Sequence, residues 1–150
     1  MAYDVQRIEM EPQPTAVIRA EVGLEGIAEF LGGAFAEVVT TLAEQGLSPD
    51  GPPFARYEQV PGGFRIEAGF PSSAEVEPVG RVERAAHPGG HVLVVLHRGP
   101  YGEVDRAYAA AERWMVDNEW EPAGEPWEAY LDGPEVAEPR TVVHIPARPV

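Results

Sequence analysis

The 150-residue chain has no cysteine, which excludes disulfides, thiolate nucleophiles and cysteine-ligated zinc. Its four histidines are not at metal-ligand spacing: His87 and His91 flank a Pro-Gly-Gly turn, and no H-E-x-x-H arrangement occurs. No metal and no cofactor is therefore expected. Ser48, Ser72 and Ser73 sit in loop-like stretches without a G-x-S-x-G elbow, and GLEGIAEFLGG has neither a G-x-G-x-x-G spacing nor a Walker lysine. Nucleophilic hydrolysis and nucleotide binding are left without support. Positive charge is scarce and carried by arginine: 25 acidic against 11 basic residues leave a net charge of −14. Such a chain cannot replace the counterions of duplex DNA or settle on anionic lipid, so neither direct DNA binding nor membrane association is expected. No apolar run approaches membrane-spanning length, and MAYDVQRIEM has neither the basic start nor the apolar core of a signal peptide. A cytoplasmic protein is the expectation.

What is present organises itself as a repeat. Residues 26–57, GIAEFLGGAFAEVVTTLAEQGLSPDGPPFARY, lie over residues 99–130, GPYGEVDRAYAAAERWMVDNEWEPAGEPWEAY, without gaps at a constant offset of 73. Turn formers coincide: Gly26 meets Gly99, Pro49 meets Pro122, Gly51 meets Gly124 and Pro53 meets Pro126. Each half reads as an alternating strand, a helix, a Pro/Gly-rich connection and two further strands. Ala16, Ile18, Ala20 and Val22 alternate, and Ile27, Leu31, Ala34, Phe35, Val38 and Leu42 form a helical stripe. Phe54–Val60 and Phe64–Phe70 predict a hairpin about Pro61, Gly62 and Gly63. In the second half HVLVVLHR is the strand, Val104, Ala107, Tyr108, Ala111 and Met115 the helical stripe, and residues 127–131 and 141–145 the closing strands. Polar alternating strands at 5–11 and 80–86 precede the two repeats. The expectation is one α+β domain over residues 1–150, built of duplicated β-α-β-β units with pseudo-twofold symmetry, an antiparallel sheet and two long helices, its halves spanning about 1–75 and 76–150.

Within EPWEAYLDGP, residues 125–134, strand alternation puts Glu128 and Tyr130 on one face and Trp127, Ala129 and Leu131 on the other. A carboxylate in a half-dry site raises its pKa or attracts a cation, and aromatic faces add about 0.5–2 kcal/mol for a well-placed cation. The alternative is a solvated charge on an edge strand. At the repeat offset Glu128 corresponds to Ala55 and Tyr130 to Tyr57, so a site built from both repeats holds two tyrosines and one acid. Arg56 corresponds to Ala129 and is expected on the opposite face.

Four phrases taken together, PGGHVLVVLHRGPYGEV, WMVDNEW, EPWEAYLDGP and RTVVHIPARP, resemble the GyrI-like small-molecule-binding family over essentially the whole chain. This bacterial family includes effector-binding domains of multidrug-sensing transcription regulators and a DNA gyrase inhibitor. The resemblance implies an SHS2-like repeat with a groove along the pseudo-twofold axis, and a strand glutamate, flanked by aromatics, that takes lipophilic cations. Glu128 matches that glutamate. Tyr130 and Tyr57 become its walls, and Ala55 and Trp127 further ligand-binding positions; Tyr101 of the GPY turn, just before the second helix, is read either as a cap on one end of the groove or as turn packing. The regulators carry a helix-turn-helix domain ahead of this one, whereas only a short strand precedes Ala16 here, so transcriptional regulation by this chain alone is not expected. The resemblance thus implies a stand-alone binding protein for small lipophilic, cationic or aromatic molecules rather than an enzyme. Its alternatives are a hydrolase of cyclopropane-containing DNA-alkylating compounds, with Glu128 and Tyr130 catalytic, and a protein that partners a regulator or a topoisomerase.

Overall fold

The computed structural model describes residues 3–150. Along the first part of the chain come β1 (Val5–Met10), β2 (Gln13–Val22), α1 (Ile27–Glu44), β3 (Phe54–Val60), β4 (Gly63–Pro71) and β5 (Glu83–His87). The second part supplies β6 (Gly90–Arg98), α2 (Asp105–Asn118), β7 (Trp120–Pro122), β8 (Trp127–Tyr130) and β9 (Arg140–Pro149). All strand pairings below are antiparallel, and each repeat runs strand, helix, strands as expected, an α+β arrangement. The short β7, which lies in the Pro/Gly-rich connection after α2, was not legible in the sequence.

Two compact units result, Pro12–His87 and the segment ending at Glu11 together with Pro88–Val150. The leading strands are exchanged. β1 pairs with β6 rather than with β2, which follows it, and β5 pairs with β2 rather than with β6. A Glu-Pro and a Pro-Gly junction follow β1 and β5, and neither is closed as a hairpin.

In the α1 unit the strand order is β3-β4-β2-β5. Helix α1 lays Ala34, Val38 and Leu42, all fully buried, on β2 and β4, and Phe35 meets Phe70 edge-on at 5.8 Å. Its end is a Schellman motif: Gly46, at φ +73°, donates its N–H to Ala43 O (3.1 Å), and Leu47 donates to Leu42 O (2.8 Å). The segment Leu24–Glu44, 21 residues, is by length and composition apolar enough to cross a membrane, which corrects the expectation that no run reaches that length. Only 22% of its apolar window is buried, and the helix packs its stripe on β2 and β4.

The β3–β4 hairpin closes through Pro61 and Gly62 at φ +84°, with Val60 opposite Gly63. Proline followed by a left-handed glycine is the order a type II turn requires. Gly69 serves a different need: a Cβ there would lie 1.9 Å from the Ala16 carbonyl oxygen on the paired β2, a clash with backbone rather than with a movable side chain. Gly69→Ala is therefore expected to destabilise the protein by about 1–3 kcal/mol, the usual cost of overpacking. Urea denaturation checks this, and an unchanged midpoint would mean that β2 can move aside.

In the second unit, here the α2 unit, the order is β1-β6-β9-β8, and β7 adds to β9 beyond β8. Ala107, Ala111 and Met115 of α2 pack on Leu93, Val95, Val143 and Ile145, with Trp114 and Trp120 partly buried at the margin. Glu119 ends α2 in the left-handed region at φ 61°, a position usually taken by glycine, and its carbonyl accepts the Val150 N–H at 2.9 Å.

Candidate functional site

Strand β8 starts after Pro126 and is closed by an ion pair at its far end. Asp132 accepts the Arg140 backbone N–H (3.0 Å) and both arms of its guanidinium (2.8 and 3.1 Å), while Leu131 N–H bonds Arg140 O at 3.0 Å. Hydrogen bonding from Arg140 holds the Asp132 carboxyl below the usual aspartate range. This clamp sets the register on β9, in which Glu128 faces Val143 and Tyr130 faces Thr141. Val143 belongs to the core under α2, so Glu128 and Tyr130 share the helix-bearing face of the sheet.

There Glu128 is half-buried and held by two phenols. Tyr108 of α2 donates to Oε2 at 2.8 Å, and Tyr130 donates to Oε1 at 3.1 Å. Tyr101 meets Tyr130 edge-on at 5.9 Å and donates its hydroxyl to Asp132 O at 2.8 Å. Burial, reinforced by the nearby charges of Glu135 and Asp132, raises the Tyr101 pKa, so it remains a neutral donor. Among the described residues no ion pair reaches Glu128. Burial raises its pKa, against the opposing pull of the Tyr108 and Tyr130 hydrogen bonds and of His97.

His97 itself is almost fully buried. Its Nε2 donates to Pro100 O at 2.9 Å, and its Nδ1 lies 2.9 Å from the Tyr3 hydroxyl. Both ring nitrogens are satisfied, as expected of a structural histidine. Between His97 and Tyr130 in the sheet register lies Thr141, fully buried, whose hydroxyl has no hydrogen-bond partner among the described residues. A ligand group or a water could complete it.

The arrangement therefore brings together three of the expected residues, Glu128, Tyr130 and Tyr101. Tyr108 was read from the sequence as helix core only. Its signal was its place at the margin of the stripe. Trp127 lies on the opposite face, 2% exposed and stacked on His144 at 4.9 Å. Ala55 and Tyr57 belong to the α1 unit, where they face Ala68 and Ile66 in the register with β4. Ala55 is fully buried and Tyr57 meets Phe64 edge-on at 6.4 Å. Arg56 lies on the other face, bonded to Glu67 at 2.8 Å and to His87 at 2.9 Å. No group of three or more metal-ligating side chains occurs among the described residues.

The raised Glu128 pKa has a consequence for stability. Between the unfolded value, near 4.5, and the higher folded value, the folded chain keeps a proton that the unfolded chain has released. Stability is then lost as pH rises through that interval. The difference in unfolding free energy between the wild type and Glu128→Gln should move against the wild type as pH increases from 4 toward neutrality. Asp132 has the opposite sign, its contribution being lost as pH falls, but it is common to both proteins and cancels. Chemical denaturation across pH measures this, and a difference independent of pH would show that the carboxyl is as well solvated folded as unfolded.

Comparison with known proteins adds the following. A family described as the GyrI-like small molecule binding domain matches residues 3–148. The crystal structure of the EcmrR C-terminal domain superposes with a TM-score of 0.82 at 20% identity, covering 100% of both chains. A hydrolase from Listeria innocua gives 0.67 at 13% identity over 98% of this chain and 93% of its own. SAV2435 bound to tetraphenylphosphonium gives 0.64 at 13% identity over 99% and 94%. Curated protein sequences give no match.

Proposed function

Because the chain belongs to the family of GyrI-like small molecule binding domains, related in fold to the EcmrR C-terminal domain, we propose that it binds lipophilic cations at Glu128. One observation carries this reading: a half-buried carboxyl that two tyrosine hydroxyls hold in place and that no ion pair among the described residues engages. A cation supplies the missing charge, and the Tyr130 and Tyr101 rings supply apolar and cation–π contact. Selectivity at such a site is for charge and apolar bulk rather than for one shape.

Tetraphenylphosphonium, the compound bound to SAV2435, is a suitable probe. Glu128→Gln keeps the shape and removes the charge. It should weaken this cation by about 1.5–3 kcal/mol and leave neutral triphenylphosphine oxide nearly unaffected. Wild-type binding should also release protons near the raised Glu128 pKa, seen in calorimetry as a buffer-dependent heat that the variant lacks. Equal losses for cation and neutral compound would return Glu128 to a purely structural role.

A second reading rests on the same carboxyl. A glutamate whose pKa is raised by burial and whose oxygens are oriented by phenols is suited to general acid or base work, and a hydrolase shares the fold. Hydrolysis of cyclopropane-containing alkylating compounds would then use Glu128, with Tyr130 orienting it. Under that reading Glu128→Gln slows turnover by about 10²–10⁴-fold while binding persists. Product analysis with the wild type decides whether there is any turnover to lose. The acidic surface, net −14, further suits a role in engaging a DNA-binding regulator or topoisomerase, and a pull-down at two salt concentrations tests it.

A further inference from the structure

All eleven basic residues of the chain are arginine, set against 25 acids. Eight of them lie within 4.0 Å of a carboxylate. Of the others, Arg7 rests over the Trp120 ring at 5.2 Å. Arg98 and Arg113 have neither an acid within that distance nor a ring beneath them among the described residues, and both are exposed. In a protein with this surplus of acid, two guanidinium groups outside any ion pair make the surface locally less acidic, although the Arg98 charge also acts on Asp132.

Both line one cleft of the α2 unit, of about 790 Å³, a volume ordinary for a small-molecule site. It lies between α2 and the start of β1, with the aromatic side chains of Tyr3 and Trp114 among its walls. The consecutive Ala109 and Ala110 of α2 leave room between them, having no side chain beyond Cβ. Helical spacing puts Tyr108 and Trp114 on opposite margins of the sheet-facing stripe, and β1 and β8 flank the β6–β9 pair on opposite sides, so this cleft and Glu128 lie on different sides of α2, although His97 lines the cleft and also acts electrostatically on Glu128. Arg106 also lines it but is held by Glu103 at 2.7 Å.

We propose that this cleft is a second small-molecule site, separate from Glu128, which takes planar aromatic monocarboxylates. A guanidinium offers paired donors matched to a carboxylate, and the rings of Tyr3 and Trp114 offer faces or edges to a flat aromatic body. Asp4 and Asp117 also line the cleft, which disfavours polyanions and leaves a single negative charge as the best fit. The Glu128 site, itself acidic, repels the same compounds.

The test uses 2-naphthoate and its neutral counterpart 2-naphthamide, titrated by calorimetry into the full chain, with the Trp114 indole N–H followed by NMR. Naphthoate should bind, shift the Trp114 signal and weaken with added salt, and naphthamide should bind about tenfold or more weakly, the loss of one charge-assisted contact. Arg113→Gln and Arg98→Gln, both surface changes, should each reduce naphthoate affinity by a similar factor, and Glu128→Gln should leave it unchanged. Any of four results overturns the proposal: equal affinity for acid and amide, no effect of either arginine substitution, loss of naphthoate binding in Glu128→Gln, or no binding at millimolar concentration.

Discussion

The α2 unit is organised around a carboxyl that has been partly withdrawn from water without being given an ion-pair partner among the described residues. Removing Glu128 from solvent disfavours its charged form, and the Tyr108 and Tyr130 hydroxyls return only part of that loss. Everything nearby is consistent with holding it there. The Asp132–Arg140 clamp sets the β8 register, α2 brings Tyr108 down onto one oxygen, and Tyr101 braces Tyr130 from the turn before α2. A one-residue slip of β8 would exchange Glu128 and Tyr130 for Trp127 and Ala129 on the helix-bearing face and leave an indole where the acid now stands.

The two repeats show how one architecture holds a half-buried acid in one copy and plain core in the other. At the position of Glu128 the α1 unit has Ala55, fully buried opposite Ala68. An alanine there needs no partner, so the equivalent face closes on itself. The repeat also drifts. Continued at the same offset, the Ala55–Ala68 pair would become Glu128–Thr141, but Glu128 pairs with Val143. The two-residue turn at Pro61–Gly62 is replaced by the longer stretch 131–139, which contains the Asp132 end of the clamp and lets β9 advance. That shift puts Thr141, with its unpaired hydroxyl, beside Tyr130 rather than beside Glu128.

Charge is distributed to similar effect. Most arginines are spent on acids of their own unit, as in the Arg19–Glu67–Arg56 set on the outer face of the α1 unit. Exposed pairs such as Arg81–Glu37 contribute little to stability individually. Their consequence is that the few basic groups left over stand out against a strongly acidic surface.

Local chemistry made much of this legible before any coordinates. Alternation in β2, β3 and β4, the stripe on α1, the turn at Pro61–Gly62 and the facing of Glu128 and Tyr130 all follow from the periods of strands and helices, which a chain carries in its own order of residues. Arg56 on the face opposite Tyr57 follows in the same way. The exchange of β1 and β5, the strand β7, and the meeting of Tyr108 with Glu128 were not legible, because each depends on which segments pair across a distance of many residues. Periodicity assigns a side chain to a face but not to a partner. The sequence by itself determined that an acid and a phenol share one side of a strand; only the tertiary structure decided that a helix would cover them, dry them and supply the second phenol, since desolvation is a property of what packs on a residue and not of its neighbours in the chain.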